Sequence, residues 1–260
     1  VSTVLSYGAG SNSKAILAGK VERSEPLDAT VFSDTGGERP EIYADIALTS
    51  AWCVSKGYPP ITTVKRIAPV KIDGEIKNAY TLEEECLMRK QLPSIAYGFK
   101  SCSDKWKQQP FKAWLKESGL TDVTVLIGFD ADEPHRAERG DSYDSGYAKR
   151  YPLIEWGWNR DDCIAAIARS GLAQPGKSSC FFCPSSRKAE IIALPQYLKD
   201  RAVAMEQNAN LTSVKGLGRR FAWADLLAAV DAQTIIEFPI EVPCGCHDGI
   251  ASTPAITPEK

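Results

Sequence analysis

A chain of 260 residues with 43% hydrophobic and 25% charged content is long and apolar enough to bury a full core, which excludes disorder as its organising state. Its 31 basic and 33 acidic residues are interspersed and leave a formal net charge of −2, which excludes coating nucleic acid by charge alone and leaves room only for a local basic groove. No apolar run approaches a membrane span and no signal-like pattern opens the chain, so the expected compartment is the cytoplasm, with no membrane partner.

The elements follow in chain order. Thr3–Tyr7 is a β-rich run that ends in Gly8, Gly10 and a serine cluster, and a helix is expected from Asn12 to about Lys20. Thr30–Ser33 reads as a second buried strand, closed by Asp34-Thr35-Gly36-Gly37. Pro40 then opens an amphipathic helix to about Lys56, with proline in the first turn. Ile61–Lys65 reads as a third strand. After a less regular stretch come a helix over Pro110–Glu117 and a fourth strand over Val123–Gly128. The rest is helical: Arg160–Arg169, two helices within Lys188–Asn208, and Phe221–Val230. Strands alternating with helices imply βαβ units and a parallel sheet, hence an α/β fold with a C-terminal helical segment carrying a cysteine-rich site. The expected division is 1–158 as a nucleotide-binding unit, 159–250 as a helical cysteine-bearing region, and 251–260 as a mobile tail.

Ligands of such sheets bind at the carboxyl ends of the strands. Three strands run there into polar, glycine-bearing loops: Gly8–Ser13, Asp34–Gly37 and Gly128–Glu133. In the first, Ser6-x-Gly8-x-Gly10-Ser11-x-Ser13, glycines let backbone N–H groups turn toward phosphate oxygens at a helix start. It is neither a Walker A loop nor a dinucleotide GxGxxG.

Cys180-Phe-Phe-Cys183-Pro184 is a CxxC that suits one metal ion or a cluster, and Cys102, Cys244 and Cys246 are further candidate thiol ligands at a distance. Four thiolates, or three with His247, would equally suit zinc. Cys53, Cys86 and Cys163 sit singly in helix-like patterns and are expected to pack. Lys65, Lys107, Arg136, Arg139, Arg219 and Arg220 are candidates to neutralise phosphate or sulfate oxygens. Asp130, Asp132 and Glu133 are candidates for Mg²⁺.

Five stretches in this order carry a resemblance: the Ser6–Ser13 loop, Val31–Gly36, Cys102-x4-Lys107-x2-Pro110, Gly128–Glu133 with Arg136 and Arg139, and Tyr151–Trp156. They are similar to the motifs of PP-loop ATP pyrophosphatases, in the variant of the phosphoadenylyl-sulfate-reductase-like proteins. Two departures stand out. Asn12 occupies the place where ATP-splitting members usually carry an acid for Mg²⁺, and Phe129 replaces the first arginine of the fourth-strand motif.

The resemblance implies a Rossmann-like parallel sheet flanked by helices. It places ATP or a sulfonucleotide against Ser6, Gly8, Gly10, Ser11, Ser13, Asp34 and Gly128, with Lys107 and Arg136 as acting cations. It implies a [4Fe–4S] cluster, or alternatively zinc, with Cys102, Cys180 and Cys183 as matched ligands; Ser103 stands where the family's next ligand would be, so Cys244 or Cys246 is left as the fourth. The expected activity is adenylylation of an acceptor for sulfur transfer, as in DNA phosphorothioation or base thiolation. The expected partners are a sulfur donor such as a cysteine desulfurase, and a nucleic-acid acceptor within a complex. Two alternatives stay open. One is a sulfonucleotide reductase in which Cys244, within Cys244-Gly-x-His247, is the nucleophile and thioredoxin the partner. The other is a non-catalytic, zinc-stabilised nucleotide-binding subunit.

Overall fold

Residues 1–141 and 146–231 are described by the computed structural model, and their alternating strand and helix signals fold as α/β. The first half runs β1 (Ser2–Tyr7), α1 (Ser11–Glu22), β2 (Ala29–Asp34), α2 (Pro40–Ser55) and β3 (Ile61–Lys65). A hairpin of β4 (Ala68–Ile72) and β5 (Glu75–Ala79) follows, then α3 (Leu82–Arg89) and a 3-10 turn at Ser94–Tyr97. One long helical stretch is next: α4 (Ser101–Ser103), a π-helical turn over Asp104–Gln108, and α5 (Gln109–Glu117). The chain then forms β6 (Val123–Leu126), α6 (Pro134–Asp141), β7 (Ala148–Arg150), α7 (Pro152–Glu155) and α8 (Arg160–Arg169). It continues through α9 (Lys188–Ile192), α10 (Gln196–Asn208) and α11 (Trp223–Asp231).

Five strands make one parallel sheet in the order β3-β2-β1-β6-β7, flanked by helices in a Rossmann-like arrangement. β2 is buried at every position, as an inner strand covered on both faces must be. The order of the strands reverses between β1 and β6, and that switch point opens a crevice at their carboxyl ends. Among the described residues, no helix is long and apolar enough to cross a membrane.

The hairpin, α3 and β7 were not legible as elements. EIKNA in β5 is mostly exposed and polar, so no apolar alternation marks it. β7 is only three residues long. The start of α3 does carry a signature: Thr81 accepts from Glu84 N at 3.0 Å while Glu84 takes the Thr81 N–H, a reciprocal capping box.

The apolar interior lies in three clusters. One packs α1, α2 and α8 on the sheet, with Leu5, Ile16, Phe32, Ile42, Leu126 and Cys163 at its centre. A second, around Val4, Val31, Phe111 and Val125, covers the opposite face. The third joins the β4–α3 insertion to the late helices through Trp106, Phe181, Phe182, Met205 and Trp223. Within it the Glu206 carboxylate, 3% exposed, accepts from the backbone N–H groups of Leu217 (2.6 Å), Trp223 (2.9 Å) and Ala224 (3.0 Å). It thereby caps α11 from another helix and shapes the Gly216–Arg220 turn. A Cβ on Gly216 would sit 2.2 Å from Glu206 Oε2, so only glycine fits there. Glu206→Gln is expected to cost about 2–3 kcal/mol in urea unfolding, because an amide turns a donor toward donors.

Candidate functional site

The crevice is built from three loops and one late segment. After β1 the chain passes Gly8, Ala9 and Gly10 into α1. Ala9 takes a left-handed φ of 55° and is fully buried, while Gly10 is extended and caps α1 without a side chain. The first N–H groups of α1 are thus left to the crevice. Ser13 is buried and gives its hydroxyl to Gly10 O at 3.0 Å, so it braces the loop from within. Gly8 faces open space. Beside it, a cavity of about 200 Å³ is lined by Ser6, Gly8, Ser33, Lys107, Phe111 and Tyr147.

The loop after β6 packs on the start of α1. A Cβ at Gly128 would lie 3.1 Å from Ser13 N and 3.2 Å from Asn12. Asn12 Nδ2 donates to Gly128 O (3.3 Å) and Asp130 Oδ2 (3.1 Å), stitching the two loops together. Gly128→Ala is therefore expected to displace the α1 start and to cost about 1–3 kcal/mol in urea unfolding. Asp130 is nearly buried, and burial raises its pKa above the ordinary aspartate value, with Asn12 opposing. Because the folded pKa is raised, this carboxylate lowers stability above its folded pKa and has no such effect below the unfolded one. Asp130→Asn should accordingly stabilise the fold at pH 7 and give no gain near pH 3, read from urea unfolding at both values.

Asp34, 4% exposed, accepts from Gly36 N (2.8 Å) and Tyr43 OH (2.7 Å) and pairs with Lys65 (3.3 Å). Its carboxylate is committed to the β2–α2 loop. That loop in turn seats the CxxC segment. Phe181 N donates to Gly37 O at 2.7 Å, Glu38 and Cys180 form an antiparallel bridge, and Thr35 Oγ1 lies 3.1 Å from Cys180 Sγ in a hydrogen bond. A Cβ on Gly37 would meet Phe182 at 2.8 Å, which fixes glycine here.

A charged pair lies between the β1–α1 loop and this thiol. Lys107 Nζ stands 3.2 Å from Glu38 Oε1, and the Glu38 side chain is wholly buried with Oε2 unpartnered. Burial works against the Lys107 ammonium, but Glu38 and Cys180 outweigh it and hold its pKa above the usual lysine value. Burial, reinforced by Glu38, pushes the Cys180 thiol up to about 12, and burial raises Cys183 as well. Cys102 is half-buried, its N–H bonded to Ser94 Oγ at 2.8 Å. Cys86, expected only to pack, is buried on α3 yet near enough to feel the charges of Cys102 and Cys180. Cys53 and Cys163 are core residues.

Thus Cys102, Cys180 and Cys183 share one neighbourhood with Lys107. Among the described residues, however, no three Cys, His or acidic side chains stand at metal-ligating separation. Cys244, Cys246 and His247 lie outside the described residues. Arg136 is placed elsewhere: it pairs with Glu133 at 2.5 Å and lies 4.3 Å over the Phe129 ring, which stacks on Tyr151. It does not line the strand-end cavity.

Sequence reasoning missed four contributors. Glu38 follows the strand-end loop with nothing local to mark it, and Thr35, within that loop, was not read as a partner of the CxxC. Ser178 donates to Gly8 O, so the segment before the CxxC roofs the β1–α1 loop. Lys14, 1% exposed, pairs with Asp45 at 2.6 Å and donates to Ala173 O at 3.0 Å beneath that loop. No family model matches this chain, and no curated protein matches it.

Proposed function

We propose that this chain is an ATP pyrophosphatase of the PP-loop type, which adenylylates an acceptor for sulfur transfer. The observation that carries this reading is the position of Lys107. It lines the strand-end cavity with Ser6 and Gly8, and on its other side it pairs with Glu38 against Cys180. Phosphate chemistry and thiol chemistry therefore meet at one side chain.

In this reading the backbone of Gly8–Gly10 and the open N–H groups of α1 hold the terminal phosphates of ATP. An acceptor oxygen attacks the α-phosphorus and loses its proton. The bond from the α-phosphorus to the bridging oxygen breaks, and pyrophosphate leaves with the electron pair. The Lys107 ammonium neutralises charge that grows on the α-phosphate oxygens. Glu38 holds that ammonium charged and in place.

The soft thiol set of Cys102, Cys180 and Cys183 suits an iron–sulfur cluster or zinc, with a fourth ligand from Cys244 or Cys246. A bound cluster would supply a site for inorganic sulfur; the adenylylation step needs none. A thiol held near 12 is neutral at physiological pH, so binding a metal there would release its proton.

The test is product analysis on anaerobically purified protein, with iron, sulfide and zinc determined on the same sample. Pyrophosphate released from ATP supports the proposal. Sulfite released from a sulfonucleotide, lost in Cys244→Ser, would replace it with a reductase. Neither product, with one zinc per chain, would leave a nucleotide-binding subunit.

A further inference from the structure

The helical stretch that carries Lys107 has two faces, and each lines a different cavity. Ser103, Lys107 and Gln108 face the strand-end cavity. Ser101, Cys102, Lys105 and Trp106 face a larger one of about 850 Å³ on the far side. That volume is typical of sites for small organic ligands. The wall between the two contains the π-helical turn Asp104–Gln108, a distortion that recurs at functional sites.

The chemistry of the larger cavity is distinctive. Arg89, Lys90 and Lys105 line it, against one acid, Glu85. That acid is already occupied: Oε1 accepts from Arg89 Nε at 2.9 Å and Oε2 from Trp106 Nε1 at 2.7 Å. Among the described residues Lys90 and Lys105 have no carboxylate partner. The lining is therefore cationic in a chain whose net charge is slightly negative. Phe99 belongs to the same lining and leaves 68% of its surface exposed, with Tyr97 nearby on the same wall. An uncovered phenyl ring in the same lining as these lysines suits a flat ring with a phosphate attached. Stacking holds the ring and lysines hold the anion.

We propose that this second cavity binds an unpaired nucleotide, either free or as one unit of a single strand. It brings that nucleotide against the wall where Cys102 lies. The claim stands on the cavity itself and does not need the adenylylation reading above.

The test is fluorescence anisotropy of labelled oligothymidine and oligouridine with the full chain, with ATP binding measured in parallel. Phe99→Ala and the double variant Lys90→Ala/Lys105→Ala are exposed changes that touch no core residue. Each is expected to weaken strand binding about tenfold or more and to leave ATP binding unchanged. Thymidine or uridine monophosphate that displaces the strand identifies a site for free nucleotide; displacement only by longer strands identifies a strand site. No binding of either oligonucleotide, or binding untouched by both variants, overturns the proposal. Equal displacement by an acidic peptide of the same charge also overturns it, in favour of a protein partner. Failure of the adenylylation reading is separately visible, as parent protein that binds the strand but releases no pyrophosphate from ATP.

Discussion

Lys107→Ala should reduce pyrophosphate release from ATP by roughly 10²–10³-fold, with a smaller loss in ATP binding. The asymmetry follows from position. The backbone of the β1–α1 loop and the start of α1 offer N–H groups to the nucleotide whether or not Lys107 is present. In the proposed reaction, Lys107 is the one lysine among the described residues of the cavity lining that can meet the charge built up during displacement. Removal of Lys107 also leaves the buried Glu38 carboxylate without its cation, so some stability is lost with the activity. Lys107→Arg separates the two effects: it keeps the charge and the pairing, and should restore stability more fully than turnover, because a planar guanidinium is not an ammonium. Pyrophosphate release at the parental rate from Lys107→Ala would remove this residue from the chemistry.

The second large effect is structural. Lys14→Met should cost about 3–5 kcal/mol of unfolding free energy in urea, the range for breaking a buried pair on one side. Lys14 is 1% exposed, and its ammonium is held by Asp45 and the Ala173 carbonyl. Asp45 Oδ2 already lacks a partner, so its remaining oxygen would be left uncompensated as well. Lys14→Met with Asp45→Leu removes both charges and should recover most of the loss. A single variant that unfolds like the parent would show that water reaches Asp45 freely.

Which parts were legible depends on the range of the interaction that makes them. TVLSY, TVFS and ITTVK announce strands because a buried parallel strand needs an apolar, β-branched run whatever surrounds it. The β1–α1 loop and the CxxC are likewise local patterns, and their positions could be read directly. Glu38 and Lys14 could not. Each is a charge kept inside by a partner 69 or 31 residues away, and no neighbouring residue signals that pairing. The stretch 101–108 looked irregular because a π-helical turn shifts the faces of a helix and blurs its period. That same shift lets one short segment line two cavities. Arg136 is a different case: the resemblance gave it a role opposite phosphate, and Phe129 at the substituted position gives its guanidinium a ring to lie on.

The roof over the β1–α1 loop has a consequence for synthesis of the protein. Gly8 O receives the Ser178 hydroxyl across 170 residues, and Lys14 meets Ala173 across 159. A ribosome that has delivered β1, α1 and the sheet has not yet made the parts that complete the first loop. Until the segment around 173–183 emerges, Lys14 lacks its carbonyl partner and the β2–α2 loop lacks the strand-like bridge to Cys180. Nascent chains ending before that segment should leave the β1–α1 loop without its roof. These contacts also close long stretches of chain, which makes them slow.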